Sequence, residues 1–121
     1  IQLQIGQLTM ASQGFVTAAT TGTGKAGDIN ITGQTLTLTD PGTTIRSGSG
    51  TAQQRGLVTG AGGDIRLRGA RVTITNGATL SAETYTNGTG GNVFVTGNQF
   101  TATRQGQIRT TTLGSGTAGN I

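Results

Sequence analysis

Apolar residues along this chain fall at alternate positions in short runs, and the runs recur. Ile29 and Ile31, Ile65 and Leu67, and Val93 and Val95 form one series. Leu8 and Met10, Leu36 and Leu38, Val72 and Ile74, and Phe100 and Ala102 form a second. A third is centred on Val16, Ile45, Leu80 and Ile108. Alternation at period two predicts strands with one face buried. Between the second and third series lie turn sequences, namely Asp40-Pro41-Gly42, Asn76-Gly77 and Arg104-Gln105-Gly106. Loops rich in Gly, Thr and Ser, such as residues 84–90 and 113–118, close each group of three strands.

The groups repeat. A shift of 28 residues lays Asp64-Ile65-Arg66-Leu67 on Asn92-Val93-Phe94-Val95, and that segment on Asn120-Ile121. Ile1-Gln2-Leu3 likewise falls on Ile29-Asn30-Ile31. The unit opening at Asp28 is longer by eight residues: one at Pro41 and seven within residues 48–62. The units are therefore 1–27, 28–63 with an inserted loop at 48–62, 64–91 and 92–119, with a new one starting at 120.

A hairpin fold would make that recurrence accidental, whereas stacked coils put equivalent positions directly above one another. The expected fold is all-β: a right-handed parallel β-helix (a solenoid) with about 28 residues and three strands per coil, in about four coils. The predicted core ladders are Ile29/Ile65/Val93, continued by Ile1, then Leu36/Val72/Phe100, continued by Leu8, and Ile45/Leu80/Ile108. Thr37, Thr73 and Thr101 form an outward ladder. Four coils rise only about 20 Å and leave strand edges unpaired at both ends. The chain opens on Ile1 and closes on Ile121 at the start of a unit, so residues 1–121 are expected to be one solenoid segment of a longer chain. Further repeats of that chain are its first expected partners, and lateral or end-to-end self-association is a second expectation.

Composition narrows the chemistry. The chain has 26 threonines and 23 glycines but one proline, one lysine and one glutamate, which suits many short strands and turns rather than disorder. Without cysteine or histidine there can be no disulfide, no thiolate or imidazole metal site and no His-based catalytic triad. No cofactor is expected. The net charge of +4 comes from eight sparse bases, too few for a nucleic-acid surface. No apolar run approaches a membrane span, and no signal peptide is seen.

Each unit opens on Gly followed by Asp28, Asp64, Asn92 or Asn120. Glycine-aspartate repeats bind calcium when they recur every nine residues, but here the pair comes once per 28 and half the corners are neutral amides. A turn ladder, in which each side chain bonds backbone N–H groups, accounts for all four. Asp28 and Asp64 as a catalytic pair would need a proton-transfer partner and a cleft, and would leave both Asn corners unexplained. Gly22-Thr23-Gly24-Lys25-Ala26 departs from a phosphate loop at Ala19 and Ala26. Asn30-Ile31-Thr32 and Asn87-Gly88-Thr89 match the N-glycosylation pattern, as chance allows in a threonine-rich chain. Arg66, Arg68 and Arg71 form the one basic cluster, all predicted outward, with Phe94 beside Arg66 in the next unit. The plainer reading is a solvated patch with an incidental arginine–aromatic contact. A partner-contact surface for a glycan or cell-surface ligand, if the segment carries one, is expected on that face and the inserted loop.

The run from Gly62-Gly63-Asp64-Ile65-Arg66-Leu67 through Arg71-Val72-Thr73-Ile74-Thr75-Asn76-Gly77-Ala78-Thr79-Leu80-Ser81-Ala82, closed by Gly88-Thr89-Gly90-Gly91-Asn92-Val93, resembles repeats of filamentous-haemagglutinin-like bacterial exoproteins, including large cyanobacterial ones. The resemblance covers the whole chain. It implies a right-handed parallel β-helix, export by two-partner secretion through an outer-membrane barrel transporter, and an extracellular place on the bacterial cell surface. It further implies a structural or adhesive shaft serving adhesion, aggregation or matrix and filament formation, without enzymatic activity. A glycan-active β-helix enzyme and a phage-type tail fibre are the alternatives.

Overall fold

The computed structural model describes residues 1–54 and 59–121. Its strands are β1 (Gln2–Gln4), β2 (Gln7–Met10), β3 (Phe15–Thr20), β4 (Ile29–Leu38), β5 (Thr44–Ser49), β6 (Ile65–Ile74), β7 (Thr79–Thr84), β8 (Val93–Thr96), β9 (Gln99–Ala102) and β10 (Gln107–Thr112). The fold is all-β. One turn of 3₁₀ helix, Ala52–Gln54, is the only helical element among the described residues.

Two sheets contain all the strands among the described residues. The first runs β1-β4-β6-β8, with β2 also on β4 and β9 also on β6, and the second runs β3-β5-β7-β10. All eight pairings are parallel. Partners lie 28 residues apart at Leu3↔Ile31, Leu67↔Val95 and Leu80↔Ile108, and 36 apart at Ile29↔Ile65. Extra residues appear as steps in this register. The offset rises from 28 at Met10↔Leu38 to 29 at Phe15↔Thr44, so one residue enters at the Asp40-Pro41-Gly42 turn. The other seven enter after Ser49↔Thr84, and the 28-residue register has returned by Ile65↔Val93.

The inward faces of both sheets meet in one core. Ile29, Ile31, Leu36, Leu38, Ile45, Ile65, Leu67, Val72, Ile74 and Leu80 are fully buried, with Val93 nearly so. Inward residues are odd-numbered at the start of β4 (Ile29, Ile31) and even-numbered at its end (Leu36, Leu38). A strand alternates strictly, so a change of parity requires a bend between the two halves. The bend lies at Gly33-Gln34, and pairing skips from Gly33↔Gly69 to Thr35↔Arg71. A Cβ on Gly33 would stand 2.7 Å from the Ile5 carbonyl oxygen, which is why the corner takes glycine.

Two expectations are modified. The first and second strands of a unit were expected to be separate, but β4 and β6 run through the bend as single ten-residue strands. They have partners on both sides, whereas β1/β2 and β8/β9 are paired on one side and break there. Phe100, expected in the core, pairs with Val72 as anticipated yet remains 47% exposed. Strand β9 has no further strand over it, so the large ring is covered on one side only. Ile108 on β10 and Leu8 on β2 are partly buried for the same reason, and Ile1 is exposed.

Replacing Ile65 by Asp puts an unpaired charge in this core, and urea unfolding should show a loss of about 4 kcal/mol or more. Thr73→Ala, on the outward side of β6, should cost about 0.5 kcal/mol. A second contrast tests the closeness of stacked backbones. A Cβ on Gly91 would lie 2.0 Å from the Gly63 carbonyl oxygen, whereas one on Gly24 meets nothing within 4 Å. Gly91→Ala should lower stability by about 2–3 kcal/mol, while Gly24→Ala should leave the unfolding midpoint nearly unchanged.

Candidate functional site

The corner before β4, β6 and β8 is held by a chain of side-chain-to-backbone hydrogen bonds. The Asp64 backbone N–H donates to Asp28 Oδ1 at 2.8 Å, and the Asn92 N–H donates to Asp64 Oδ1 at 2.9 Å. The Asn120 N–H continues the series to Asn92 Oδ1 at 2.9 Å. Main-chain bonds run the other way, with Ile29, Ile65 and Val93 N–H groups donating to the Asp64, Asn92 and Asn120 carbonyls. One side-chain oxygen per unit is all the ladder needs, so aspartate and asparagine serve equally. The glycine before each corner completes the motif, since Cβ atoms on Gly63, Gly91 and Gly119 would run into the stacked backbone below.

Both carboxylates are also charge-paired. Lys25 Nζ lies 3.0 Å from Asp28 Oδ1, which accounts for the lysine in the preceding glycine-rich loop. Arg66 Nη2 donates to Asp64 Oδ2 at 2.7 Å. For Asp28 the Asp64 N–H bond is the main influence, and with Lys25 it outweighs burial to hold the carboxyl below its ordinary 3.8. For Asp64 burial is the largest influence and pushes upward. The Asn92 N–H, Arg66 and the Asn92 amide together overcome it, so this carboxyl too lies below 3.8. No group of three or more His, Cys, Asp or Glu that could hold a metal occurs among the described residues.

The basic face is assembled on the outward side of the first sheet. Arg66 sits opposite Phe94 in the β6–β8 register, with its guanidinium 4.9 Å from the ring centroid. Phe94 is 44% exposed, and Arg68 and Arg71 are exposed on either side of the bend at Gly69. Arg68 and Arg71 have no ion-pair partner among the described residues, unlike Arg66. The inserted loop, the other expected contact region, is described at 48–54 and 59–62, and residues 55–58 lie outside the described residues.

Two arrangements escaped the sequence reading. On the second sheet Arg46 Nε lies 3.6 Å from Glu83 Oε2, and its guanidinium is 5.9 Å from the Tyr85 ring centroid. Ser81 Oγ and Tyr85 Oη both donate to Glu83. The Arg46↔Ser81 and Gly48↔Glu83 register brings them together, across an offset of 35 that the inserted residues conceal. Inside the fold, hydroxyls serve the loop backbone: Ser47 donates to the Gly27 carbonyl, Thr86 to Gly60 and Thr110 to Gly119. For Ser47 and Thr110 the signal was Ser and Thr at inward positions of the third strand, whereas Thr86 lies beyond β7 in the loop.

Comparison with family models, with curated proteins and with solved structures yields no match for this chain.

Because both aspartates titrate below their unfolded value, their stabilisation is complete above about pH 4. It is lost as pH falls through the lower folded-state values. Asp64→Asn keeps an oxygen for the Asn92 N–H, as Asn92 itself does for Asn120. That variant should cost about 1 kcal/mol or less at neutral pH and flatten the acid limb of a stability–pH curve. Asp64→Ala removes the acceptor and should cost about 1–2 kcal/mol even at neutral pH.

Proposed function

We propose that this chain is a stretch of right-handed parallel β-solenoid, four coils of about 28 residues, forming the non-catalytic shaft of a secreted bacterial surface fibre of the filamentous-haemagglutinin-like kind. The observation that carries the reading is the register. All eight strand pairings are parallel, and they join positions 28, 29, 35 or 36 residues apart, one repeat unit in each case.

Such an arrangement suits a rod. Each unit buries its apolar face only against the next, so length is added by repetition and the outward ladders remain free to contact partners. The carboxylates an enzyme would use are committed to the corner ladder and to Lys25 and Arg66, which supports a structural role. In this reading the segment lies outside the cell, exported through an outer-membrane barrel transporter, and contributes to adhesion, aggregation or matrix formation. Further repeats of the same chain extend it at its ends.

Antibody labelling of intact cells that produce the protein tests this. Labelling of the outer surface is expected, together with reduced cell–cell or cell–substrate attachment when the segment is deleted. A cytoplasmic location would sink the reading.

A further inference from the structure

A shallow groove follows the outward face of the first sheet across β1, β4 and β6. Its walls pass from Gln2 and Gln4 through Asn30 and Thr32 to Arg66 and Arg68. A second branch follows the bend past Gly33, Gly69 and Gly97, with Arg68 and Asn98 at its side. Amides and a hydroxyl line one end, guanidinium groups the other, and Phe94 stands beside them with part of its ring open.

Charge on this face is unbalanced. Asp28 and Asp64, at its margin, already hold Lys25 and Arg66, which leaves Arg68 and Arg71 uncompensated. The other two acids, Asp40 and Glu83, belong to a turn and to the second sheet. The Asp64 carboxylate and the Phe94 ring together fix Arg66, so one cation is held in place before any ligand arrives.

We propose that this groove binds an acidic polysaccharide bearing about one carboxylate per sugar. Planar guanidinium forks match carboxylates in bidentate geometry. The neutral amides Gln2, Gln4 and Asn30 match sugar hydroxyls, which both donate and accept. The open part of Phe94 provides an apolar platform for a ring face. The pattern is a few cations among uncharged polar groups, which complements a chain of intermittent charge rather than a densely sulfated one. Strands stacked at about 4.8 Å make the groove about 10 Å long from β1 to β6, with Phe94 of β8 just beyond it, room for a short run of sugars. The proposal deepens the shaft reading by giving the fibre a ligand class, and it rests on that reading only for the groove being displayed outside the cell.

The test is binding of the intact chain to immobilised polygalacturonate by biolayer interferometry, with heparin and neutral dextran as parallel surfaces. Polygalacturonate should bind most tightly, and binding should weaken with added salt. Arg68→Gln and Phe94→Ala should each weaken it about tenfold. Arg109→Gln, an exposed arginine on β10 of the second sheet, should leave it unchanged. Arg68 and Phe94 are both exposed, and circular dichroism checks that each variant keeps its β spectrum. The proposal is overturned by dextran binding as tightly, by heparin binding more tightly, by Arg109→Gln losing as much as Arg68→Gln, or by no binding from a folded chain. That last result would leave the shaft reading standing, since its own test is cell-surface location.

Discussion

Parallel pairing of like with like is the constraint on which everything else in this molecule depends. A strand in the first sheet meets residues of its own kind one unit away, so every outward or inward choice is made in columns rather than singly. Ile29, Ile65 and Val93 share one column, and Asn30, Arg66 and Phe94 the next. Among the described residues the core holds no aromatic side chain, so it relies on many medium-sized aliphatic ones. Main-chain hydrogen bonds between units do much of the remaining work, and their directionality fixes the register to the residue.

The corner ladder shows how polar groups are recruited to that constraint. At the start of β4, β6 and β8 the chain must turn, and the turn leaves N–H groups that no strand partner reaches. The Asp28, Asp64 and Asn92 side chains accept from them, and each accepts from the unit above it. At the same corner, the third-strand hydroxyls of Ser47 and Thr110 donate to the carbonyls of Gly27 and Gly119, the residues just before Asp28 and Asn120. Side-chain acceptors for its N–H groups and hydroxyl donors for its carbonyls thus supply what this one bend lacks.

The repeat, the inward aliphatic columns, the corner ladder and the Arg66–Phe94 contact were all legible in the sequence, because each depends on local alternation plus a constant shift. Phe100 takes the register that alternation predicts, opposite Val72, and its ring is open on the side where β9 has no partner strand. Arg46, Glu83 and Tyr85 were illegible, since their contact crosses the one unit whose length differs. The turns were readable at Asn76-Gly77, where φ is 52° and 80°, residues suited to the left-handed region. They were less so at Arg104-Gln105, which adopt φ of 47° and 65° with side chains that seldom do. Stacking on the equivalent turn of the preceding unit, where the Gly77 N–H donates to the Arg104 carbonyl, imposes the conformation there.

The unit of altered length has a wider meaning. Seven residues enter after Ser49, and by Ile65 the columns stand where they would have stood without them. Sequence drift at that corner is therefore insulated from the ladder above and below it. A lineage carrying this fold could lengthen or shorten the chain between Ser49 and Ile65 without moving the paired residues on either side. The aliphatic columns would need no compensating change, so diversity and architecture can evolve at separate rates along one chain.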